Sequence, residues 1–155
     1  MTFEVRRVVT GHDENGKAKV LIDEISDNVI SRRPGQHSTV IWATDRPTPD
    51  LGALNDISAD VTQTTVPNGT VFRVSRLAPG VTPRTHRTES LDYAIVLAGT
   101  VDMELDDGEV VHLKTGDVVV QRGTVHNWVN NGTEDCVMAY VLIAAALPAG
   151  LEGAG

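Results

Sequence analysis

The sequence predicts an all-β fold, a sandwich or barrel of short strands. Runs rich in Val, Ile and Thr recur with turn residues between them, as in EVRRVVT, KAKVLID, TVFRVSRL, TVDMELDD and DVVVQRG. Gly80, Gly99, Gly108, Gly116, Gly123 and Gly132 punctuate the second half at close spacing. No stretch longer than about ten residues combines a helical apolar period with helix caps.

Taken in order, EVRRVVT and KAKVLID flank GHDENG, and Asn15-Gly16 is a strong signal for a hairpin turn. SRRPGQ reads as a turn and HSTVIWAT as a strand. DRPTPDLGALNDISAD is rich in breakers and reads as a surface loop with one helical turn near Leu51–Leu54. From Gly69 the expected strands are TVFRVSRL, RTHRTE, YAIVLAG, TVDMELDD, EVVHLK, DVVVQRG, HNWVNN and CVMAYVLIAA. Asp107-Gly108 and Asn131-Gly132 supply further tight turns. The predicted organisation is one domain. Residues 1–68 form a hairpin, strand and loop extension packed on a barrel, 69–147 the barrel core, and 148–155 a flexible tail.

A chain of 155 residues can bury a core without disulfides. The net charge of −8 argues against nucleic acid, whose phosphates need a basic surface. It does not constrain a small-molecule pocket, which can differ in sign from the whole. The one cysteine, Cys136, lies in an apolar run and reads as a buried, inert thiol. The apolar run Val137–Ala146 is about half as long as a membrane span, so no membrane partner is expected. No secretory leader is recognisable in MTFEVRRVVTG, and the expected location is cytoplasmic.

Two glycine-framed segments carry the chemistry. In the first, five residues after Gly80 comes His86, then Arg87, Thr88, three further residues, Asp92, six residues and Gly99. In the second, Gly116 leads through DVVV to Gln121, Arg122, Gly123, Thr124, Val125, His126, three residues and Asn130. Sixteen residues separate the segments. This frame resembles that of small single-domain cupins, which fold as a jelly-roll, double-stranded β-helix barrel. Three positions depart from the family pattern. Thr88 stands where the second histidine would be, Asp92 where a glutamate would be, and Gln121 where a proline would be, with a spacer one residue short. The resemblance implies a barrel with an N-terminal hairpin extension, commonly assembled as a homodimer.

Alternate residues of a strand share a face, so His86 and Thr88 point the same way, with Asp92 and His126 reaching the same interior from other strands. Three converging N and O groups suit a divalent ion (Fe, Zn, Mn or Ni) held by His86, Asp92 and His126. Thr88 is a poor ligand, so two alternatives stand beside metal binding. One is acid–base use of the same residues without metal; the other is a silent structural site. Trp128 shares a face with His126 and is a candidate pocket wall or core aromatic. Tyr140 is a candidate phenolic acid or a buried hydrogen-bonded tyrosine. Arg73 and Arg76 lie on opposite faces of one strand, so at most one enters the barrel, and Arg76 is assigned to the pocket beside Thr88. Glu89 should point outward. His12, His37 and His112 are expected at the surface, and Asn130 should close a turn through backbone hydrogen bonds.

The expected function is a metal-dependent lyase or isomerase, such as a dehydratase, acting on a small oxygenated organic molecule. The alternatives are a non-haem Fe(II) dioxygenase using the same three residues, and a non-catalytic binding or sensing domain.

Overall fold

In the computed structural model, which describes residues 3–151, Arg6–His12 (β1) and Ala18–Ile25 (β2) form the antiparallel hairpin expected around Asn15-Gly16. Asp13 closes it: its Oδ1 accepts from the backbone N–H groups of Asn15 at 2.8 Å and Lys17 at 2.9 Å. Gly16 takes the left-handed conformation that this turn requires, with φ 74°.

The remaining strands are Val29–Ile30 (β3), Gln36–Thr44 (β4), Thr70–Leu77 (β5), Ser90–Ala98 (β6), Thr100–Glu104 (β7), Val110–Lys114 (β8), Val118–Arg122 (β9), Asn127–Val129 (β10) and Cys136–Ala144 (β11). They build an antiparallel six-stranded sheet of order β3-β4-β5-β11-β6-β9 and a three-stranded sheet of order β10-β7-β8. Leu77, Ala94, Val96, Cys136 and Met138 of the large sheet pack against Val101, Met103, Leu113 and Trp128 of the small one. Each such apolar side chain removed from water contributes roughly 1.5–3 kcal/mol. This shared interior is what holds the two sheets face to face.

The outer face of the large sheet is also covered in part. Ile41, Val74 and Ala139 pack there against Phe3, Val5 and Val137. The hairpin forms its own two-stranded sheet rather than lengthening either barrel sheet. Arg7 fastens it. That buried guanidinium donates to Glu24, to Asp56, to the Ile41 carbonyl and to Ser58 Oγ at 2.7–3.2 Å. β4, within the segment assigned to the extension, pairs with β5 along its length.

Two local expectations change. The helical turn is at Ser58–Asp60, not Leu51–Leu54, because Asp56 Oδ1 accepts from the N–H and Oγ of Ser58. RTHRTE is not a continuous strand. It is held by an isolated bridge between His86 and His126 and, at its end, by Ala145 N–H donating to the Glu89 carbonyl at 3.2 Å. Pro83 lacks the N–H that a ladder needs, and Arg84 N–H instead donates to Asn127 Oδ1 at 2.9 Å. Of the tail predicted as flexible, residues 152–155 lie outside the described residues, as do residues 1 and 2. No helix among the described residues is long and apolar enough to cross a membrane.

Gly99 shows why the frame needs glycine. It turns between β6 and β7 with φ 79°, and a Cβ there would stand 2.5 Å from the Asp135 carbonyl oxygen. Asn130 behaves as expected. Its Nδ2 donates to the carbonyls of Leu77 and Glu134 at 2.8 and 2.9 Å, and its Oδ1 accepts from Gly132 N–H.

Candidate active site

The site is assembled by one short piece of backbone pairing. His86 and His126 exchange both main-chain hydrogen bonds, at 3.0 and 2.9 Å, outside the regular strands. This pairing puts their rings side by side, with centroids 4.4 Å apart. Trp128 lies edge-on to His126 at 5.8 Å, and Tyr140 edge-on to Trp128 at 5.9 Å. All four side chains line one cavity of about 70 Å³ that opens between the sheets.

The hydrogen bonds fix the tautomers. His86 Nδ1 lies 3.0 Å from the Arg84 carbonyl and His126 Nδ1 lies 2.8 Å from the Thr124 carbonyl. A carbonyl only accepts, so each Nδ1 carries the proton and each Nε2 keeps its lone pair. Burial, opposed by the Arg84 carbonyl, lowers His86 to about 4, and its neighbours His126 and Arg84 push the same way. Burial also lowers His126. Both imidazoles are therefore neutral bases at neutral pH.

Asp92 is buried on β6, across from Gln121 of β9 and Leu142 of β11. Burial raises its carboxyl above the usual range, against the hydrogen bond from Ser90 and the charge of Arg73. Ser90 Oγ donates to Asp92 Oδ1 at 2.5 Å and also meets Thr88 Oγ1 at 2.8 Å. Thr88 thus faces the cavity, and it orders the serine beside the carboxylate. Burial raises the Tyr140 phenol well above its ordinary value, so it stays protonated, with its hydroxyl directed to Met138 Sδ at 3.0 Å. Burial likewise pushes the Cys136 thiol up to about 11, as an inert core cysteine requires.

The expected metal set is not assembled. Two imidazole nitrogens are free to act as donors, but among the described residues no three His, Cys, Asp or Glu side chains are grouped so as to hold a metal ion. The Asp92 carboxylate is engaged by Ser90, on the strand rather than at the histidine bridge. The residues present do not fit a three-ligand metal centre.

Arg76 also moves. It lies on the outer face of β5, with Nη2 3.0 Å from His37 Nδ1, Nε 3.7 Å from Asp135 and its guanidinium over the Phe3 ring. Arg73 is the β5 arginine that enters the cavity. His37 is partly buried beside Arg76 rather than at the surface. His12 is exposed, and so is His112, which pairs with Asp102 at 2.7 Å.

Sequence reasoning missed Arg33, Arg84 and Gln121, which all line the cavity. Arg84 is two residues before His86, but it follows Pro83 in an irregular segment, where strand alternation gives no assignment. Gln121 occupied a motif position and was read only as a departure; it is buried, with Nε2 3.2 Å from Met103 Sδ.

Comparison with known proteins matches the Cupin domain family over residues 73–143. The chain is 37% identical over 148 residues to the cupin-domain-containing oxidoreductase fogC of Aspergillus ruber, spanning 90% of this chain and 72% of that one. It is 38% identical over 136 residues to phomopsin biosynthesis cluster protein C' of Diaporthe leptostromiformis, spanning 80% and 69%. Among solved structures, a double-stranded β-helix protein from Klebsiella pneumoniae superposes with a TM-score of 0.54 at 20% identity, covering 77% of this chain and 85% of that one. That likeness concerns the fold alone.

Proposed function

The chain belongs to the cupin family, and from that premise we propose that it is an enzyme performing acid–base chemistry, of the lyase or isomerase type, on a small oxygenated organic molecule. One observation carries this reading. His86 and His126 stand 4.4 Å apart with both Nδ1 groups committed to backbone carbonyls, leaving two neutral Nε2 bases in one cavity. Lowered imidazoles and a raised carboxyl lining one cavity are the combination expected where protons are both taken and returned.

In a dehydration, one Nε2 takes the proton from the carbon beside a carbonyl, and that C–H pair becomes the new C=C bond. The C–O bond to the leaving hydroxyl breaks, and the oxygen departs as water with a proton supplied by the Asp92 carboxyl. Thr88 and Ser90 keep that carboxyl in place, and Trp128 and Tyr140 exclude water from one wall. The experiment is incubation in D2O with small β-hydroxy carbonyl compounds, followed by NMR. Deuterium should enter beside the carbonyl, and His86→Gln or His126→Gln should slow this by at least about 100-fold.

A second reading follows from the relatives, several of which bear the name oxidoreductase. Oxygen consumed in proportion to product, together with tightly held iron, would favour a dioxygenase and displace the first reading.

A further inference from the structure

We propose that the cavity contains a subsite for an organic carboxylate, formed by Arg33, Arg73 and Arg84. The inference names a substrate class for the acid–base site above and rests on that reading. The three guanidinium groups come from separate places: the turn before β4, the middle of β5, and the segment leading to His86. All line one cavity in a chain whose net charge is −8.

Arg32, which donates to Thr64 Oγ1 and to the Thr62 carbonyl, lines the cavity as a fourth arginine, and so much positive charge at one cavity requires a counter-charge. Asp92 is the one acidic side chain among the lining residues, and burial raises its carboxyl above the usual range. No ion pair among the described residues joins Arg33, Arg73 or Arg84 to a carboxylate. Arg73 is 8% exposed; its Nη2 donates to the carbonyls of Gln63 and Thr64 at 3.2 and 3.0 Å, yet its Nε has no partner. The buried Nε of Arg33 is unpartnered too. Burial lowers all three groups, Arg73 to about 10, and like charge adds to it: Arg84 acts on Arg33, Arg32 and Arg84 on Arg73, and Arg32 on Arg84. A bound anion would relieve both. Guanidinium forks match a planar carboxylate. Leu77, Trp128 and Leu142 on the same cavity accommodate a short apolar body. A carboxylate seated on the arginines leaves the rest of the molecule in the space shared with His86 and His126.

The probe is benzoate, with benzamide as its neutral counterpart and phenyl phosphate as a second anion, each titrated by calorimetry. Benzoate should bind at least tenfold more tightly than benzamide, and no weaker than phenyl phosphate. Arg33→Gln and Arg84→Gln should each weaken benzoate at least tenfold while leaving benzamide unchanged. Arg73 also ties down the Gln63–Thr64 loop, so these two variants carry the test. Equal affinity for benzoate and benzamide, or benzoate binding indifferent to both substitutions, overturns the subsite. Phenyl phosphate binding tenfold more tightly than benzoate overturns its assignment to carboxylates. Selective benzoate binding without deuterium exchange in any substrate would keep the subsite and remove the acid–base reading; exchange without selectivity would do the reverse.

Discussion

Replacing His86 by Gln should remove a specific part of the pH dependence of stability. The folded protein holds His86 near 4 through burial, against an ordinary value of 6.5. Between those values the unfolded chain binds the proton and the folded chain does not, so stability falls as pH falls from about 6.5 towards about 4. The contribution is fully present above the unfolded value. A shift of this size at pH 4.5, relative to pH 7.5, has a ceiling of about 2.5 kcal/mol, and partial exposure at the cavity mouth reduces it to roughly 1–2 kcal/mol. Asp92 works in the opposite sense: its raised carboxyl favours the folded state at low pH, and that favour is lost as pH rises through its folded value. It is present in both proteins and cancels in the comparison. Urea unfolding of the native chain and of His86→Gln at pH 7.5 and 4.5 measures the effect. The native chain should lose about 1–2 kcal/mol more than the variant on acidification. Equal losses would refute the claim that a neutral, buried His86 is built into the fold.

Other outcomes follow from packing. Arg7→Leu leaves Glu24 and Asp56 without their shared cation and should cost about 2–4 kcal/mol in urea unfolding; a cost below about 0.5 kcal/mol would mean the hairpin is not anchored there. Gly99→Ala forces a Cβ to 2.5 Å from the Asp135 carbonyl at φ 79°, and should cost at least about 2 kcal/mol by the same assay. Tyr93, Ile95, Val118 and Val120 pair across β6 and β9 on the exposed outer face. The cupin resemblance implies a homodimer, and if this face is its interface, sedimentation should show a dimer that Val120→Asp converts to a monomer; a native monomer would contradict that expectation.

The strands from β5 onward, RTHRTE apart, were legible because glycines and period-two alternation punctuate them. His86 and His126 were legible because both sit at fixed distances from motif glycines. The arginine phase was not. β5 is buried on both faces, inside by Val71, Arg73 and Leu77 and outside by Val74 under Phe3. Alternation on such a strand carries no sign of which face is the interior, so Arg76 could not be told from Arg73. Arg33 and Arg84 lie in irregular segments where no period exists to place them. The metal expectation rested on residue type, whereas among the described residues no three His, Cys, Asp or Glu side chains are grouped so as to hold an ion. Strand parity places Asp92 on the inner face, but it cannot reveal that the histidines meet at an isolated bridge while the carboxylate is engaged by Ser90.

Long-range 1H–15N NMR of the two cavity histidines tests the acid–base account most directly. Both His86 and His126 should appear as neutral rings with the proton on Nδ1, and His86 should remain so from pH 7.5 down to about 5. Titration of His86 near 6.5, or a proton resident on Nε2 of either ring, would contradict the account.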